Sequence, residues 1–136
     1  MEHPDATAHR PDIRMIDAES ERLSALALSA SACHPAVADL LLAEIERARL
    51  VRAADMPRDV VTMGAEVEFL DRRSGEQRAV RLVWPTEADI DAGRVSVLTP
   101  VGAGLIGLSE GQSIDWPDRE GRPRTLSVLR VRQAAN

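Results

Sequence analysis

The sequence predicts a small α+β fold, helical in its first third and built of short strands after that. Two observations carry the prediction. Apolar residues recur at helical spacing from Asp17 to Ala48, and they alternate with polar ones from Ala65 onward. Between the two patterns lies Met56-Pro57, where the residue before a proline is pushed out of the α region. These signals divide the chain into a polar tail over 1–12, a helical hairpin over 13–54 and a β-rich domain over 55–136.

Asp17 is the predicted N-cap of the first helix, with Leu23, Leu26, Ala27 and Ala30 on one face. Ser29–His34 forms a polar loop, and Pro35 opens a second helix at a position where its missing N–H costs nothing. In that helix Val37, Leu41, Ile45 and Ala48 make an apolar stripe, with Glu44–Arg47 and Glu46–Arg49 as charge pairs outside it. Two such stripes joined by a short loop predict an antiparallel hairpin, with helices of roughly 20 and 27 Å by rise per residue.

Ala65, Val67 and Phe69 alternate with glutamates, Ser74-Gly75 makes a turn, and Val80, Leu82 and Trp84 mark the returning strand. Val95–Leu98, Ser113–Trp116 and Thr125–Val131 are three further strands, with Arg119–Arg124 as a hairpin loop. The alternation slips between Val128 and Leu129, the mark of a β-bulge. In the stretch WPTEADIDAGRVSVLTPVGAGLIGLSEG, Thr99 is a predicted N-cap, Pro100 the first residue of a short helix, and Gly107 and Gly111 its breakers.

Composition narrows the chemistry. The chain has 136 residues, 44% of them hydrophobic, with one Phe, two Trp and no Tyr, so aliphatic side chains must build the core. All 17 basic residues are arginine, which excludes Schiff-base chemistry and a P-loop lysine. The net charge is −5 and the acidic excess lies in the first half, which argues against tight DNA binding. One cysteine, Cys33, allows neither an internal disulfide nor a thiolate zinc cluster. No signal peptide or membrane-spanning run is present, so a cytoplasmic protein is expected, and separately a monomer.

Three motifs invite chemical readings. Gly102, Gly104 and Gly107 spell G-x-G-x-x-G, but the helix they sit in stops before a dinucleotide fold could form, so close helix–sheet packing is the expectation. The histidines, at 3, 9 and 34, all lie in the tail or the hairpin loop, which leaves the β domain without a His or Cys for a nucleophilic relay. Glu87, Asp89 and Asp91 have the ligand chemistry of a Mg²⁺ site, yet they read better as a solvated turn. No cofactor or metal is expected, including at Cys33-His34.

The segments EADI and SVLTPVGAGLIGL resemble the globular domain of the bacterial transcript-cleavage factors GreA and GreB. MPRDVVTMGAEVEF and LVWP resemble a sister group, the regulators of nucleoside diphosphate kinase. The resemblance spans roughly residues 12–131 and implies a half-open, FKBP-like β domain. It further implies a non-catalytic transcription regulator bound to RNA polymerase at the rim of the secondary channel. In the cleavage factors a long hairpin carries acidic residues at its tip to help hold a catalytic Mg²⁺. Here the tip, Ser29 to His34, has no carboxylate and the hairpin is short, so transcript cleavage is not expected.

By the same resemblance the docking surface comprises Asp89, Ser96, Leu98, Thr99, Pro100 and Val101, with Thr99 in place of a serine in the family's Ser-Pro pair. This turn is expected to contribute little to the fold and to present unpaired helix N–H groups to the partner. Two alternatives belong to other classes. One is direct binding to a metabolic enzyme such as nucleoside diphosphate kinase. The other is peptidyl-prolyl isomerase activity, which the scarcity of aromatic side chains disfavours.

Overall fold

A computed structural model describes residues 10–133. Strand β1 (Arg14–Ile16) leads into helix α1 (Asp17–Ala30), and a tight turn carries the chain into helix α2 (Pro35–Arg47) and strand β2 (Arg49–Val51). The two strands pair in parallel, Arg14 with Arg49 and Ile16 with Val51, and clamp the base of the hairpin. Periodicity over 13–54 did not reveal them. The expected hairpin is present, with helices of 14 and 13 residues and the second opened by Pro35. That second helix is about 20 Å long instead of roughly 27 Å, because it ends at Arg47 and the chain turns into β2.

Several details differ from the sequence reading. Ile16 is the N-cap of α1, and Asp17 instead accepts a hydrogen bond from the neighbouring Ala18 amide at 2.7 Å. In α2 the fully buried positions are Ala38, Leu41 and Glu44, with Val37 only half-buried. Glu44 therefore lies inside the stripe, 1% exposed, where Arg47 meets its carboxylate at 2.7 Å and Arg10 at 3.5 Å. A buried carboxylate is tolerable only when so paired. Arg47 also donates to the Pro11 carbonyl at 2.6 Å, so Arg10 and Pro11 of the expected tail bond to the hairpin, while the Asp12 carbonyl accepts from Gln112 at 3.2 Å. Residues 1–9, with His3 and His9, lie outside the described residues. The Glu46–Arg49 pair does not form, because Arg49 has left the helix for β2.

The β-rich part is a five-stranded mixed sheet in the order β5-β4-β3-β7-β6. Its strands are β3 (Glu66–Asp71), β4 (Glu76–Val83), β5 (Arg94–Ser96), β6 (Ser113–Pro117) and β7 (Pro123–Arg132). Only β4 and β5 run parallel. The slip at Leu129 is a true bulge: Glu68 faces Arg130 and Phe69 faces Val128, so Leu129 is left over. Trp84 falls outside β4 and starts a 3₁₀ turn over Pro85–Glu87. Helix α3 (Pro100–Leu105) covers the sheet's inner face.

One core runs through the molecule. Val67, Phe69, Leu82, Ile114 and Leu126 from the sheet join Leu105 and Ile106 near α3 and Leu23, Ala27 and Leu41 from the hairpin. Backbone bonds tie the same parts together: Val61 donates to Leu108 at 2.8 Å and Gly107 to Val61 at 3.0 Å, beside Arg14 to Gly107 at 3.3 Å. Arg22 of α1 covers the Trp84 ring at 4.1 Å, and Glu19 accepts from the Met63 amide at 3.2 Å. Burial pushes the Glu19 carboxyl above its ordinary range despite that bond and the nearby Arg22 charge. Among the described residues no helix is long and apolar enough to cross a membrane.

Candidate functional site

The stretch from Asp89 to Leu105 folds as one strand–turn–helix unit. Asp89 and Arg94 exchange backbone bonds of 3.0 and 2.9 Å, which closes a tight loop around a 3₁₀ turn at Ile90–Ala92. Gly93, at φ 75°, completes that turn in the left-handed region. The Asp89 side chain is exposed, and Ile90 at the loop tip is 80% exposed. The chain then enters β5, where Val95 pairs with Leu82 and Ser96 with Val83.

The strand ends at Ser96, and the two residues that follow no longer alternate. Ser96 and Val97 are both buried, while Leu98 is half-buried. The Ser96 hydroxyl accepts from the Leu98 amide at 3.0 Å and its carbonyl accepts from the Thr99 hydroxyl at 2.7 Å. Thr99 is the expected N-cap: its oxygen accepts from the Gly102 amide at 3.1 Å. The Ala103 amide donates to the Thr99 carbonyl at 2.9 Å, and Pro100 has no N–H. First-turn donors expected to face a partner are thus largely satisfied within the chain.

Pro100 is buried, not displayed, and its carbonyl accepts from the Trp116 indole N–H at 2.6 Å. The expectation that this turn contributes little to the fold is therefore incorrect. The glycines explain how α3 comes so close. A Cβ on Gly102 would overlap the Ser96 carbonyl, and one on Gly104 would come within 2.8 Å of the Trp116 ring. They serve packing, as expected. Of the six expected docking residues, Asp89 is exposed and Leu98, Thr99 and Val101 are half-buried, whereas Ser96 and Pro100 are buried; Thr99 also caps the turn.

Beside the unit lies a groove of about 450 Å³, between β4, β5, the start of α3 and the β6–β7 loop. Sequence reading missed it, because its walls come from four separate segments. Across the loop, Arg73 donates to Asp118 at 2.6 Å and holds that carboxyl down at about 2. Glu87, Asp89 and Asp91 do not converge, and among the described residues no group of three or more His, Cys, Asp or Glu could hold a metal. Cys33 is exposed at the hairpin tip.

A mixed sheet capped by a short helix, fused to a short helical hairpin, defines the class, and comparison with known proteins gives its family. The model for the C-terminal part of the GreA/GreB transcription elongation factors matches residues 56–133. The chain is 38% identical over 122 residues to the Escherichia coli K12 protein called regulator of nucleoside diphosphate kinase, covering 90% of each. It is 34% identical over 91 residues to GreA of Azorhizobium caulinodans, covering 67% of this chain and 57% of that one. A solved GreA/GreB factor from Nitrosomonas europaea superposes with a TM-score of 0.69 at 33% identity, over 90% of this chain and 99% of that one. The chain belongs to the GreA/GreB family, and it is a transcription-factor-like regulator of that family.

Proposed function

We propose that the protein docks on RNA polymerase at the rim of the secondary channel and regulates transcription there without cleaving RNA. Asp89, Leu98 and Val101 make the contact, and Ser96, Thr99 and Pro100 hold the turn that presents them. The observation that carries this reading is the rigidity of the turn. It is fixed by the Thr99 cap and the Trp116–Pro100 bond, so little ordering is needed when a partner binds.

The hairpin supports the second half of the reading. Helices of 14 and 13 residues span only about 20 Å. The turn between them, Ser31 to Cys33, carries no carboxylate to position a metal. Capture from cell extract with the tagged full chain tests the docking half, and stalled elongation complexes test the cleavage half. Recovery of polymerase subunits without shortened transcripts is the expected result. The name of the Escherichia coli relative favours one other reading, direct binding to nucleoside diphosphate kinase. Recovery of that kinase in place of polymerase would select it.

A further inference from the structure

The groove beside the docking turn is strongly cationic in a chain of net charge −5. Five of the 17 arginines line it, at 73, 78, 94, 119 and 124, against Asp118 and Glu120. Two of them are engaged, Arg73 with Asp118 at 2.6 Å and Arg124 with Asp71 at 3.5 Å. Arg78, Arg94 and Arg119 make no ion pair or side-chain hydrogen bond among the described residues. The Arg124 Nε–H, also on the groove wall, is buried with no acceptor. A buried donor without a partner is costly, and three free guanidiniums facing one concavity repel one another.

Apart from Ser96 and Thr99, the rest of the wall is apolar. Arg78 and Val80 lie on the same face of β4, two residues apart, and Val95 and Val101 continue the surface. Ile90 stands 80% exposed at the rim. No aromatic side chain lines the groove, so it lacks the stacking platform that unpaired nucleic acid uses. Its volume of about 450 Å³ suits a few residues of extended chain better than a phosphate backbone, which needs a longer cationic track.

We propose that this groove receives an extended acidic segment of the protein partner. An apolar side chain of that segment sits against Val80, Val95 and Val101, and flanking carboxylates pair with Arg78, Arg94 and Arg119. Guanidinium–carboxylate forks supply both charge and geometry. The inference deepens the docking reading and rests on it for the choice of a protein partner.

NMR titration of the full chain with short synthetic peptides tests it. The probes are a leucine flanked by glutamates, the same peptide with glutamines, and the glutamate peptide with glycine for leucine. Wild type should bind the first at least tenfold more tightly than the other two, with shifts at Val80, Val95 and Val101. Arg78→Glu combined with Arg94→Glu, both exposed side chains, should abolish that preference and favour a lysine-flanked leucine instead. Arg119→Glu, on the loop, provides a second variant should the double one fold poorly.

Equal affinity for the glutamine peptide overturns the inference, as does an unchanged preference in the variants. Tighter binding of inorganic polyphosphate or a short single-stranded RNA overturns it as well. Polymerase capture by the same variants separates the two readings. Retained capture with no peptide preference in wild type removes the groove inference alone. The expected peptide preference without any polymerase capture removes the docking reading and leaves the groove standing.

Discussion

The indole N–H of Trp116 donates to the carbonyl of Pro100 at 2.6 Å, which joins strand β6 to the first residue of α3. Trp116 is itself 1% exposed and lies under Gly104, with Arg10 stacked 5.1 Å from its ring. Since Arg10 also reaches Glu44, the Thr99-Pro100 turn, the sheet and the hairpin meet around one side chain. Replacing Trp116 by Phe removes the donor and leaves a smaller ring in a buried site, while the Pro100 carbonyl keeps only its bond within α3. The expected loss is about 2 kcal/mol, read as a melting temperature lower by roughly 5 °C. An unchanged melt would show that the bond adds nothing.

Gly104→Ala tests the same contact from the other side. The new methyl would sit 2.8 Å from the Trp116 ring, closer than packed carbons allow. Overpacking of this kind costs about 1–3 kcal/mol, more than the alanine gains in helix propensity. Denaturant unfolding should show a lower midpoint with an unchanged slope. A stabilised variant would mean that Trp116 moves aside freely.

Glu44→Ala should weaken the hairpin's hold on the rest of the chain. It strips Arg47 of its partner at the base of α2, where Arg47 also holds the Pro11 carbonyl. Breaking a buried pair from one side costs about 3 kcal/mol, the lower end applying because Arg47 is partly exposed. Hydrogen exchange should speed up in α2 and at the β1–β2 pairing before the central sheet responds. Uniform protection would contradict it.

Much of the fold was legible in the sequence because it rests on local rules. Alternation at Val67 and Phe69, the slip at Leu129 and the Thr99-Pro100 helix start each depend on a few neighbouring residues. What stayed hidden depends on long-range partners. Glu44 reads as surface charge, since nothing local announces that Arg10 and Arg47 will neutralise it inside the hairpin. The pairing of β1 with β2 involves three residues each, too few for a period to register. The site was half legible. Thr99 and Pro100 were found by their capping chemistry, but Pro100's burial follows from Trp116, and the groove joins arginines from three distant segments.

Glu19 gives a pH-dependent prediction. Its carboxyl is raised above the ordinary value of 4.5, burial outweighing the Met63 amide and Arg22. The protonated form is therefore favoured in the folded state. The stabilising increment is full below pH 4.5 and is lost as pH rises through the folded value. Glu19→Gln keeps an acceptor for Met63 without the buried charge. It should melt no lower than wild type at pH 7, and its relative advantage should shrink toward pH 4. A variant less stable than wild type at pH 7 would show that the Arg22 attraction dominates.

The most direct measurement for the docking account is the equilibrium affinity of the full chain for purified RNA polymerase, wild type against Asp89→Arg. The Asp89 side chain is exposed, and its loop is held by backbone bonds to Arg94, so the fold should melt as wild type does. A charge reversal at the contact should weaken binding at least tenfold, about 1.4 kcal/mol. Equal affinity of the two chains, with native melting of both, would contradict docking through this face.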